Sequence, residues 1–213
     1  MWDRLLGVIL LLSFAALSAC HAPNLLNAVS PSAQPQDPCG FVQNAYGERI
    51  SWKDHTPVHL SIHQSVPSSY YPAIEAAIKD WETALGRPVF QIDQYSLAGP
   101  ATPRQDGVNA IYLLNTWEAT RSNEQARTSV YWVGNEIQEA DVRIDAKNFT
   151  FYVTNPASPN DVHLESLILH ELGHVLGLKH NDTGGSVMAT YLSANTVRNQ
   201  VGAKDLNSVH CEY

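Results

Sequence analysis

Five residues in one short stretch carry the chemistry of this chain: His170, Glu171, His174, Gly177 and His180, spaced H-E-x-x-H-x-x-G-x-x-H. On a helix, histidines four positions apart lie one turn above one another, about 6 Å along the axis. A single tetrahedral ion can then take both ring nitrogens at about 2.0–2.1 Å. Glu171 stands on the flank of the same turn, too far round to ligate comfortably, yet able to reach a water at the ion. Gly177 has no Cβ and suits a left-handed exit from the helix. Such an exit returns the chain beneath the helix and delivers His180 as third ligand. Three protein ligands leave the fourth position open, which marks a catalytic rather than a structural zinc. The pair H-E-x-x-H also occurs on ordinary amphipathic helices. Gly177 and His180 at the right offsets separate this chain from those. The chemistry implied is hydrolysis by an activated water, with Glu171 as general base.

The elements that must position these residues are legible from periodicity. A zinc-bearing helix is predicted over residues 164–178, with residues 158–161 (Ser-Pro-Asn-Asp) as a capping box near its start. Residues 57–63 alternate as a half-buried strand. His59 and His63 share its polar face with His55 nearby, read as a solvated face rather than a metal cluster. Residues 70–85 form an amphipathic helix with Ile74, Ala77, Ile78, Trp81 and Ala84 on one stripe, stopped by Gly86 and Pro88. Further strands are predicted over 89–92, 108–114, 126–133 and 137–144, and a short closing helix over 203–210. The order predicts a mixed α/β layered domain.

The chain has 213 residues, of which 44% are apolar and 16% charged, with a formal net charge of −8. That suits one ordinary globular core, and without a basic run no nucleic-acid partner is expected. Residues 1–19 read as a leader: Arg4, then an apolar run over 5–12 too short for a permanent span. Leu17-Ser18-Ala19-Cys20 resembles the lipobox of bacterial lipoproteins. It implies cleavage before Cys20, acylation of that sulfur and a stable membrane anchor. With His21 rather than Asp next to it, the resemblance implies sorting to the outer membrane. Residues 20–38 are rich in Pro, Ser, Ala, Asn and Gln and read as a flexible tether. The catalytic domain would therefore span 39–213. Cys39 and Cys211 form an even pair, which in an oxidising exported setting reads as one disulfide.

The zinc-site spacing is that of the metzincin metallopeptidases, and within them the chain resembles the matrixin-like bacterial peptidases. The resemblance also takes in Trp81, the stretch Glu139-Ala140-Asp141-Val142, residues 161–166 and Ser186-Val187-Met188-Ala189. It implies a twisted mixed five-stranded sheet with one antiparallel edge strand, two long helices including the zinc helix, and a short C-terminal helix. Met188 would be the Met-turn residue, an apolar floor beneath the zinc ligands. Residues 126–133 would be the edge strand that pairs with substrate backbone. A structural calcium or second zinc is common among such proteins, with no ligands assignable here. Pro38-Cys39-Gly40 echoes the cysteine switch of matrixin propeptides, an alternative role for Cys39. One departure concerns Tyr191, three residues after Met188 rather than two, which favours packing over help at an oxyanion. The resemblance implies a zinc endopeptidase acting on protein or peptide substrates; with the lipobox it would be lipid-anchored at the cell envelope, and a monomer is expected. Two rivals remain: a non-catalytic zinc-binding surface lipoprotein, and a hydrolase of cell-wall peptide crosslinks.

Overall fold

The computed structural model describes residues 37–213 and the backbone of Ala15–Ser18. The expected cleavage site, Cys20 and the tether as far as residue 36 lie outside the described residues. In chain order the elements are β1 (Ala15–Ser18), β2 (Val58–His63), α1 (Tyr71–Leu85), β3 (Phe90–Leu97), β4 (Ala110–Leu114), β5 (Ala126–Val133), β6 (Glu136–Asp145), β7 (Phe151–Tyr152), β8 (Val162–His163), α2 (Leu164–Val175) and α3 (Ala203–Val209). Among the described residues, no helix is long and apolar enough to cross a membrane.

Five strands form a mixed sheet in the order β3-β2-β4-β6-β5, parallel except for β5, which runs antiparallel to β6. Beyond β5, the backbone of β1 adds a short sixth strand, also antiparallel, with Leu17 opposite Thr128. Both long helices pack together against the sheet. Ile74, Ala77, Ile78 and Trp81 of α1 are buried, and the Trp81 indole donates to the Leu169 carbonyl of α2 at 2.9 Å. Gly86 ends α1 in the left-handed region at φ 68°, a conformation that costs glycine nothing.

Three sequence expectations need correction. The first concerns β2, which lies between β3 and β4 with parallel neighbours on both sides and leaves only His59 exposed. A central parallel strand is covered on both faces, so His63 is buried rather than solvated. Its ring lies against Tyr112, with Ser65 and the Gly99 carbonyl as hydrogen-bond partners. The second concerns residues 158–161, which do not cap the zinc helix. The Asp161 carboxylate bonds back to its own loop, accepting from the Ala157 and Ser158 amides at 2.8 Å and from the Thr150 hydroxyl. Val162 and His163 then pair with Phe151 and Tyr152, and α2 begins at Leu164 as expected but without that cap. The third concerns the cysteine-switch alternative: Cys39 and Cys211 are joined in a disulfide, so Cys39 has no thiolate to offer a metal.

Candidate metal centre

The zinc-helix residues face inward from α2, which is buried along nearly its whole length. His170 and His174 bring their Nε2 atoms to 3.1 Å of one another, and His174 Nε2 lies 3.2 Å from His180 Nε2. His180 arrives by a Schellman turn: Leu178 N donates to Gly173 O at 3.0 Å and Gly177 N to His174 O at 2.9 Å. Gly177 sits at φ 96°, where a Cβ would collide with the Ile50 carbonyl, so no other residue fits that corner. Among the described residues these three histidines are the one cluster able to hold a metal ion.

The hydrogen bonds fix what the cluster presents. His170 Nδ1 lies 2.8 Å from the Val187 carbonyl and His174 Nδ1 2.8 Å from the Leu178 carbonyl. A carbonyl only accepts, so both Nδ1 atoms carry the proton and both Nε2 atoms present bare lone pairs. The lone pairs of His170 and His174, facing one another at 3.1 Å, repel unless a cation lies between them. Two ligands at about 2.0–2.1 Å and a tetrahedral angle stand roughly 3.3 Å apart, so the donor set fits zinc. Burial pushes all three imidazoles below the ordinary histidine range, with His174 down to about 3 by burial and the proximity of His180. They are therefore uncharged and able to ligate at neutral pH.

Glu171 is fully buried beneath β5. Its Oε2 accepts from the Thr128 hydroxyl at 2.6 Å, while Oε1 has no hydrogen-bond partner among the described residues. Burial raises its pKa to about 8, against the lowering effect of Thr128. An orphaned carboxylate oxygen on the residue next to His170 marks where a water or a metal charge belongs.

Met188 lies under the helix. A Cβ at Gly173 would collide with Met188 Sδ and press on Trp81, so the thioether fills the space this glycine leaves. The turn that carries Met188 is pinned by Asp205 of α3, which accepts from the Ser186 hydroxyl, the Val187 amide at 3.1 Å and the Gly202 amide at 3.1 Å. The Val187 carbonyl so fixed is the one that orients His170. Asp205, Thr128 and Val187 escaped sequence reasoning. The one signal was Asp205 in the first turn of a short helix, an unremarkable place for an acid. Tyr191, expected to pack, is instead 67% exposed. It lines a cavity of about 400 Å³ with Gln125, Phe149 and Val162.

A layered mixed sheet over a helix bearing this histidine trio defines the metzincin class of zinc metallopeptidases. The family model described as Matrixin matches residues 114–213, and that stretch is similar to the matrixin-like metzincins. The matched stretch runs from the end of β4 through Tyr213 and includes all three histidines and Glu171. No curated protein matches the sequence.

Proposed function

We propose that this protein is a zinc-dependent endopeptidase in which Glu171 is the general base, anchored at the cell envelope through a lipid on Cys20. The observation that carries this reading is the convergence of three histidine Nε2 atoms, with a buried carboxylate one residue along the helix from His170. When bound, zinc supplies Lewis-acid polarisation of a carbonyl and lowers the pKa of a water. Glu171 takes the proton of the attacking water and carries it to the departing amine. Thr128, at 2.6 Å, holds one carboxylate oxygen and leaves the other free for that exchange.

The sheet edge supports a peptide as substrate. The backbone of β1 lies antiparallel along β5, with Ala15, Ala16, Leu17 and Ser18 opposite Val130, Ser129, Thr128 and Arg127. An extended polypeptide therefore finds a complementary row of hydrogen-bonding groups there. Thr128, midway along that row, touches Glu171. Loss of β1 with the leader would free this edge for other chains.

The test is cleavage of a diverse peptide library by the purified protein. Activity should be abolished by a chelator and restored by zinc. Glu171→Ala should retain zinc and lose turnover, and full activity in that variant would reject the role of Glu171. Zinc binding without any cleavage would favour the non-catalytic rival. Cleavage of purified peptidoglycan but not of unfolded protein would redirect the substrate to cell-wall crosslinks. Radiolabelled fatty acid retained on the wild type and absent from Cys20→Ser tests the anchor.

A further inference from the structure

A helix end leaves its last carbonyls without partners inside the helix, and α2 must satisfy them while holding a metal ligand just beyond. The Schellman turn provides for Gly173 and His174. The next three carbonyls are each met from a different remote segment. Val175 O accepts from the Trp52 indole at 2.8 Å, Leu176 O from the Tyr213 hydroxyl at 2.7 Å, and Gly177 O from the Val42 amide at 2.8 Å. Gly40 O in turn accepts from Lys179 N at 2.7 Å, one residue before His180. The Leu178 carbonyl, between these contacts, is the partner of His174 Nδ1.

The remote segments are themselves joined. The Tyr213 hydroxyl accepts from Trp52 N at 3.1 Å, and its ring lies 6.2 Å from that of Phe41. The Glu212 carboxylate accepts from Ser51 and Lys53 at 2.8 and 2.7 Å. The Cys39–Cys211 disulfide closes this ring of contacts, one residue before Gly40 and two before Tyr213.

From this arrangement we infer that the Cys39–Cys211 disulfide and Tyr213 form a collar that positions the metal centre. The collar holds the turn over residues 176–180, and with it both His180 and the carbonyl that orients His174. Tyr213 is a positioning residue, remote from the reacting atoms. The inference rests on the histidine trio holding a divalent ion.

The test compares zinc release from the folded, zinc-loaded protein to a chromogenic chelator at 25 °C, with native circular dichroism as a check on folding. Tyr213→Phe keeps the ring and removes one hydroxyl with its hydrogen bonds. It should release zinc about fivefold to tenfold faster, the equivalent of one hydrogen bond. The double variant Cys39→Ser/Cys211→Ser should release it faster still. Ile78→Val, which trims the core on α1 away from the collar, should melt lower yet release zinc at the wild-type rate. In the metal-free protein, Tyr213→Phe should speed amide exchange at Leu178 and Lys179. Wild-type release rates in both collar variants, with unchanged exchange, would overturn the collar. Failure of the wild type to take up zinc would overturn the metal reading instead, and amide exchange would still decide whether the collar holds the turn.

Discussion

Replacing Glu171 with Gln should raise the stability of the metal-free protein while abolishing catalysis. The carboxyl is fully buried, has one hydroxyl as partner and keeps one oxygen bare, so its pKa rises from 4.5 to about 8. Below pH 4.5 the group is neutral in both folded and unfolded chains and costs nothing. Between 4.5 and 8 the unfolded chain ionises and the folded one resists, so stability falls as pH rises through that window. Above pH 8 the loss is complete, on the order of 5 kcal/mol at most. A Gln amide has no such cost, although its unpaired N–H costs about 1–3 kcal/mol. The metal-free variant should therefore exceed the wild type by roughly 2–4 kcal/mol near pH 8.5, a rise in melting temperature of roughly 5–12 °C. Near pH 5 the advantage should vanish or reverse. Thermal unfolding of both proteins in chelator at the two pH values measures this directly, and the histidine contributions cancel in the difference. Equal melting near pH 8.5, or a gap that ignores pH, would refute the reasoning. Zinc near the carboxylate favours its ionised form, so loading with metal should narrow the gap. Peptide cleavage by the loaded variant should fall by about 10²-fold or more.

Other consequences follow from the same contacts. The imidazole pKa values are depressed, so metal-free protein should lose stability as pH falls from 6.5 toward about 3, because the unfolded chain takes up protons there first. Denaturant titration in chelator at pH 7 and near 4.5 checks the sign. Gly173→Ala should cost about 1–3 kcal/mol through its clash with Met188 and Trp81, and Met188→Ala about 2–5 kcal/mol through the void it leaves. The double variant should cost less than the two together, since the new methyl occupies part of that void. Asp205→Asn should weaken zinc binding by about tenfold or more in a competition titration, because the Val187 carbonyl that orients His170 loses its anchor.

Elements with strong local signals were legible along the chain. The stripe of α1 is buried from Ala73 to Trp81, and Gly86 takes the left-handed stop. The helix-to-turn course from His170 to His180 follows from offsets of three and four residues and one glycine, all interactions within two turns. Reading failed where a residue's neighbours come from far away. His63 alternates like a surface residue yet is covered because β3 and β4 flank its strand on both sides. Asp161 has the spacing of a cap, but Thr150, Ala157 and Ser158 claim its carboxylate first.

The division has one physical cause. Histidine spacing on a helix is set by backbone geometry that any such segment shares, so the histidine trio and the place of its acid follow from local offsets alone. Whether those rings are neutral, which nitrogen each presents and how firmly the turn is held depend on burial and on partners as distant as Val42, Trp52, Thr128, Asp205 and Tyr213. No local pattern encodes those meetings, which arise only when distant segments pack together.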